Sequence, residues 1–339
     1  MRTSRLLGAL AVAALALGLA ACSTSASGDA EPGSADAGAD FPVTIEHVYG
    51  ETVIPSRPER IATVAWANHE VALALGVVPV GMGKVTWGDD DGDGVLPWVE
   101  DELEELGAET PVLFDETDGI DYEAVSDTRP DVILAAYSGL TEEEYETLSK
   151  IAPVVAYPKN PWGTTVDDMV TMNAAAMGRA DEGEKLLDEL HAKTAAALDE
   201  HSVLKDKKVL FTMLDLSDLS QITYYTANDT RPGFLQQAGI PMPAIVEQHA
   251  DSTDFYLTLS AEQADQLDDV DLFVTYGDDS TLAALQADPL LSKVPAIAAG
   301  HVAILQNATP LAASANPSPL SIGWGLEDYF AVLAEPFSE

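Results

Sequence analysis

Cysteine is nearly absent: one residue, Cys22, stands in 339. A lone thiol closes no internal disulfide, so packing must hold the fold. The six histidines are scattered rather than clustered. That leaves zinc or manganese capture as a minor alternative, with only His69 well placed in a turn and His301 opening a strand. Basic residues are scarce too: 16 Lys plus Arg face 57 Asp plus Glu, a net charge of -41 at pH 7. Such a chain repels nucleic acid and anionic lipid, and favours cationic or neutral ligands and basic partner surfaces. The same acidity also fits a surface tuned for solubility. There is no G-x-S-x-G elbow, no P-loop and no G-x-G-x-x-G; "GMGKVT" lacks the P-loop spacing. An enzyme, such as a surface-anchored hydrolase, therefore has no nucleophile to point to and remains the weak alternative.

Long apolar runs are missing as well. Leu6 to Leu19 is the longest, and it is short of the ~20 residues that span a bilayer. With Arg2 and Arg5 before it and Leu19-Ala20-Ala21-Cys22 after it, the run reads as a signal peptide over residues 1–21. The terminal cysteine resembles the lipobox of bacterial lipoproteins, with Cys22 as the lipidated residue; ordinary signal cleavage beside a chance cysteine is the other reading. Residues 22–40 carry no large apolar side chain and read as a flexible tether. The expected location is the outer face of the cell membrane, reached through the lipid alone.

About 300 residues remain, enough for roughly two domains. "RIATVAW", "VVPVGM", "RPDVILAAY" and "PVVAY" read as strands between short helices, an α/β lobe over residues 41–163. Residues 164–203 show no strand signal and keep a helical period, as one long helix or two consecutive ones broken near Gly178. Alternation resumes over residues 204–339 with "KKVLFTMLDL", "DVDLFVTYG" and "GHVAILQ" as strands and "GWGLEDYFAVLAE" as the closing helix. "DVILAAYSG" and "DLFVTYGDD" form a pseudo-repeat of the same strand-to-helix turn. The expected fold is α/β: two Rossmann-like lobes whose strand ends face one crevice.

"PERIATVAWANHEVALALGVVPVGM", "RPDVILAAYSGLTEEEYETLSKIAPVVAY", "DTRPGFLQQAGI" and "NPSPLSIGWGLEDYF" resemble the iron-siderophore substrate-binding lipoproteins of ABC importers, a group that includes ferric-hydroxamate and cobalamin binding proteins. The resemblance runs from Phe41 to the C-terminus. It implies a class III periplasmic-binding-protein architecture, two lobes bridged by a long helix, with a ferric siderophore held between them and delivered to a permease dimer. It implies a monomer with no cofactor and no catalysis. A cobalamin or haem binder is the alternative within the class.

A ferric siderophore has already satisfied its metal, so the protein needs aromatic faces and polar groups rather than metal ligands. Loops after strands would supply Trp66 and Asn68, then Trp87, Tyr137 and Trp162. The second lobe would add Tyr224, Tyr225 and Arg231, and the last loop Asn316 and Trp324. Tyr224 and Tyr225 are adjacent, so only one can face the cleft. Trp324 equally suits a helix anchor, and Arg231 a surface ion pair. The resemblance also implies one acidic docking residue per lobe. The carry-over lands on Glu142 and on Asp279, with Asp278 beside it as an equal candidate; all equally suit helix starts.

"WGDDDGDGVLPWVE" matches D-x-D-x-D-G-x5-E. Asp89, Asp91, Asp93 and Glu100 fall at calcium-ligand positions of an EF-hand loop, and Gly94 at its turn. A helix is expected after the loop but a strand before it, so half of the EF-hand context is missing. The alternatives are a calcium-braced loop carrying Trp87, or an acidic turn opening a helix.

Overall fold

The computed structural model describes residues 41–338. The leader, Cys22 and the 22–40 segment lie outside them. An antiparallel hairpin comes first, β1 (Val43–His47) with β2 (Gly50–Ile54). The first lobe is a five-stranded parallel sheet: β3 (Ile61–Thr63), β4 (Gly81–Gly83), β5 (Val112–Phe114), β6 (Val132–Leu134) and β7 (Val154–Val155). Its spatial order is β5-β4-β3-β6-β7. Chain order reverses between β3 and β6, so the loops after these two strands diverge and open a crevice at their carboxyl ends. The helices of this lobe are α1 (Asn68–Ala74), α2 (Pro97–Glu105), α3 (Tyr122–Asp127) and α4 (Glu142–Leu148). Thr141 starts α4 with a full capping box: its hydroxyl accepts from the Glu144 amide, and the Glu144 carboxylate accepts from the Thr141 amide.

The helical middle is two helices, α5 (Val166–Ala176) and α6 (Ala180–Glu200). Gly178 separates them in a left-handed conformation, φ +68, and a Cβ there would sit 2.6 Å from the Phe41 ring. Helix α5 packs on α1, β1 and the β6–β7 edge, so it covers the first lobe. The long bridging element is α6 alone, 21 residues and about 31 Å at 1.5 Å per residue.

The second lobe holds β8 (Val209–Met213), β9 (Gln221–Tyr225), β10 (Tyr256–Ser260), β11 (Leu272–Gly277) and β12 (Val302–Gln306), in spatial order β10-β9-β8-β11-β12. Strands β8, β11 and β12 are parallel, but β9 runs antiparallel to both neighbours. The second sheet is therefore mixed, and the expectation of two alike Rossmann-type lobes holds only for its parallel half. Helices α7 (Thr230–Gln237), α8 (Ala244–Glu247), α9 (Thr281–Ala287), α10 (Pro295–Ala299), α11 (Pro310–Ser314) and α12 (Pro319–Ala334) complete it.

Helix α12 starts at Pro319, four residues before the expected Gly323, because Ser318 and Ser321 form a capping box and proline suits the first helical position. Its buried Tyr329, Phe330 and Leu333 join one continuous core with Leu134 and Val155 of the first lobe and Phe211 and Val274 of the second. The lobes are thus welded at their base, and the crevice opens above that weld.

Candidate functional site

Trp66 sits in the turn between β3 and α1, flanked by Ala65 and Ala67, both at φ 61. Left-handed alanine costs ~1–2 kcal/mol, and such strain gathers at binding turns. The turn is braced by Glu116, just after β5, whose Oε2 accepts from the Ala65 amide at 3.0 Å. Trp162, also at positive φ (58), donates its amide to the Ser138 carbonyl at 2.9 Å. Its indole lies over Gly139, where a Cβ would come within 2.3 Å of Nε1. Its edge-to-face contact with Tyr137 has ring centroids 5.4 Å apart. Trp66, Trp87 and Trp162, with His69, Lys84 and Glu116, line a cavity of about 180 Å³ at the carboxyl end of the first sheet.

The facing wall is built on Arg231. Its guanidinium stacks over Tyr225, 4.7 Å from the ring centroid. Nε donates to Tyr276 Oη at 2.8 Å, and Nη1 donates to Asp229 Oδ2 at 2.9 Å. Nη2 makes no hydrogen bond among the described residues. Asp229 is buried; desolvation pushes its carboxyl up while the guanidinium opposes the shift. The pair therefore presents an oriented donor with little net charge, unlike a free cation. Met213, at the end of β8, is exposed beside Tyr225 Oη, 3.8 Å from its sulfur.

The two walls touch. Trp87 meets Tyr276 edge-on with centroids 5.3 Å apart. Asn160 Nδ2 donates to Asn228 Oδ1 at 2.9 Å, and Asn316 Nδ2 reaches Tyr137 Oη at 3.2 Å.

Five expected contacts take other roles. Asn68 is fully buried: Nδ2 donates to the Val64 and Tyr137 carbonyls, and Oδ1 accepts from the Tyr137 amide. It ties the two loops of the switch point together and offers no atom to a ligand. Tyr137 and Asn316 are buried against each other beneath the crevice. Tyr224 points to the opposite face of its strand, into the cluster with Ile222, Met242 and Ile245. Trp324 lies inside α12 on the back of the molecule, against Trp98 at 5.2 Å. Glu116, Tyr276, Asp229 and Met213 were not anticipated. Tyr276 had a signal: it occupies in "VTYG" the place that Tyr137 holds in "AAYSG".

Of the acids at helix starts, Glu142 is exposed and makes no hydrogen bond or ion pair among the described residues. Asp279 accepts from Gln306 Nε2 at 3.0 Å. Asp278 is spent on its own turn, accepting from the Ser280 amide at 2.8 Å and from its hydroxyl; it is the weaker docking candidate. In the acidic loop, carboxylate oxygens of Asp89, Asp91 and Asp93 lie within 4.8 Å of one another. Glu100 faces them, its carboxyl raised by burial and by the charges of Asp93 and Asp91. Asp89 already accepts from the amides of Gly92 and Gly94. Strand β4 precedes the loop, so the frame is strand-loop-helix rather than an EF-hand.

The sequence profile of the periplasmic binding protein family matches residues 61–309. The chain belongs to that family. It is similar to PiaA of Streptococcus pneumoniae, solved in complex with ferrichrome: 45% identity, covering 87% of this chain and 98% of that one, TM-score 0.83. A probable siderophore-binding lipoprotein of Bacillus subtilis, YfiY, is 27% identical over 237 residues, 69% of this chain and 67% of that protein. SirA of Staphylococcus aureus, solved with staphyloferrin B, has the same fold at 20% identity, TM-score 0.65, covering 86% of this chain and 98% of that one. The α/β architecture, with one parallel and one mixed sheet, is the class III periplasmic-binding-protein fold.

Proposed function

We propose that this protein captures a ferric siderophore between its lobes and hands it to an ABC permease dimer for iron uptake. The carrying observation is the meeting at one crevice of Trp66, Trp87 and Trp162 with the Tyr225–Arg231–Tyr276 wall. Aromatic faces suit the apolar outside of a chelate, and the spare guanidinium donor suits its oxygen-rich iron centre. The similarity to a ferrichrome-bound protein favours a hydroxamate chelate. The protein acts as a monomer, held at the outer face of the membrane through lipid on Cys22. The ligand leaves as it came, so no reaction is part of this role.

The acidic loop is a secondary part of the proposal: a calcium ion among Asp89, Asp91, Asp93 and Glu100 would relieve their mutual repulsion and brace Trp87. The capture itself is tested by tryptophan fluorescence against ferric hydroxamates, ferric carboxylate chelates, haem, cobalamin and divalent metal salts. Saturable quenching by a ferric hydroxamate, with none by haem or cobalamin, is the expected result. Quenching by haem or cobalamin alone would replace the siderophore with that ligand.

A further inference from the structure

The cavity behind the tryptophans is too small for a whole chelate. Small-molecule sites run to roughly 300–1,000 Å³, and this one is about 180 Å³. It has room for an end group. Its lining is unusual for an end-group site in a carrier of oxygen-rich ligands: three indoles and one carboxylate, Glu116. Indole faces attract cations through the ring quadrupole, more so when the cation is desolvated.

Glu116 is part-buried. Among the described residues, no Lys, Arg or His lies within ion-pair distance of it. Lys84 lines the same cavity, but its stem runs over Gly94 and its charge is felt at Asp115. His69, on α1, is buried and held neutral, its pKa lowered to about 4 by burial. From α4, the Glu144 carboxylate adds further negative potential at Glu116. Both Glu116 oxygens approach the single Ala65 N–H, so most of the carboxylate's accepting capacity is unspent. Gly83 makes room for the group: a Cβ there would stand 3.2 Å from Oε2. Across the crevice, Arg231 is already paired with Asp229.

Resting on the siderophore reading, we propose that this pocket takes the protonated amine of a ferric hydroxamate, with the ammonium on Glu116 and its methylene stem among Trp66, Trp87 and Trp162. The site would then select by charge at the ligand's end, independently of the chelate itself.

Burial raises the Glu116 carboxyl from 4.5 to about 7 in the ligand-free protein. Below that pH the group is protonated and loses its hold on an ammonium. Selectivity for the amine should therefore be full in mild alkali and fade as pH falls through about 7. His69 stays neutral over that window and Arg231 stays charged, so Glu116 is the group that titrates there.

The test uses two probes, a ferric trihydroxamate with a terminal primary amine and the same chelate with that amine acetylated. At pH 8 the wild-type protein should favour the amine by about tenfold, the scale of one hydrogen bond to a charged group. Glu116→Gln keeps an oxygen for the Ala65 amide, and it should bring the ratio close to one at every pH. Equal affinities in the wild type, or a preference that survives Glu116→Gln, would overturn the charge-selective pocket while leaving the siderophore reading standing. If neither chelate binds, the hydroxamate reading falls and the pocket assignment falls with it, while binding of a ferric carboxylate chelate would keep the siderophore reading.

Discussion

Tyr137 Oη and Asn316 Nδ2 meet at 3.2 Å across 179 residues of sequence, joining the two lobes beneath the crevice. Both side chains are buried, so this contact belongs to the closed molecule rather than to the ligand. Removing it and removing a crevice wall should have different signatures. Tyr137→Ala empties a packed site and should cost ~3–5 kcal/mol of stability. Tyr137→Phe should cost only about 1 kcal/mol, one hydrogen bond. Trp66→Ala, at a part-exposed turn, should instead leave the melting temperature within a few degrees and weaken siderophore binding by tenfold or more. Trp324→Ala, on the back of α12, should leave affinity unchanged. Calorimetric melting and titration of the four variants separate the two effects; a Trp66→Ala protein with parental affinity would remove Trp66 from the site.

Which of these residues could be read from sequence follows from how local each signal is. Trp66 stands three residues after buried β3 and Trp162 in the loop that follows buried β7, so their loop positions are legible. Tyr224 and Tyr225 differ only by the face of β9, and that face is set by pairing Tyr225 with Tyr256 and Leu257 with Tyr224, a register no local pattern gives. Strands β9 and β10 went unseen because "QITYY" and "YLTLS" are short and half polar. Trp324 lies inside α12 rather than in the last loop because the helix starts at Ser318-Pro319, and serine before proline is a local signal of that start. Glu116 reads locally as one more acid in an acidic turn; only the sheet order that sets β5 beside β4 brings it under Trp66.

Neighbouring residues of α1 carry opposite pH dependences. His69 is buried neutral, lowered to about 4, so the native state resists the proton the unfolded chain takes up below 6.5. Its contribution is full above 6.5 and lost as pH falls toward 4. Glu70 is buried and raised to about 7, although Trp98 Nε1 and the Leu320 amide both donate to it. There the native state holds a proton the unfolded chain releases above 4.5, so stability is lost as pH rises from about 4.5 to about 7. The two slopes oppose each other. Compared with the parent, His69→Leu should gain more stability on acidification from pH 6.5 to 5, and Glu70→Gln should gain less or lose more, with Glu116 adding the same slope to all three proteins. Urea unfolding at fixed pH steps measures this. Parallel curves for both variants and the parent would mean that neither group titrates differently on folding.

In the proposed delivery to a permease, docking would rest on exposed charge rather than on the crevice. Glu142 opens α4 in the first lobe with its carboxylate free, and Asp279 precedes α9 in the second with only Gln306 on it. Exposed charges orient partners more than they hold folds. Glu142→Lys and Asp279→Lys should therefore leave siderophore affinity and melting temperature near parental values while cellular iron uptake falls severalfold or more. Asp278→Lys breaks the Ser280 turn and should lower stability as well, which separates it from Asp279. Normal uptake by the Glu142→Lys, Asp279→Lys double variant at normal surface levels would move docking elsewhere.

The acidic loop offers the sharpest yes-or-no measurement. Asp89, Asp91 and Asp93 converge, and the Glu100 carboxyl on α2 is raised by burial and further by the charges of Asp93 and Asp91. Like charges this close destabilise the loop unless a proton or a cation intervenes. A calcium ion would take the cation's place and should raise the melting temperature by a few degrees at about 1 mM, a concentration that fills even weak extracellular sites. Asp91→Ala removes a ligand and part of the repulsion together. It should raise stability in chelator and abolish the response to calcium. Trp87 lies two residues before Asp89, so the same titration should change tryptophan emission in the parent and not in the variant. A parental melting curve identical in calcium and in chelator would leave the loop as an acidic turn whose role is to open α2.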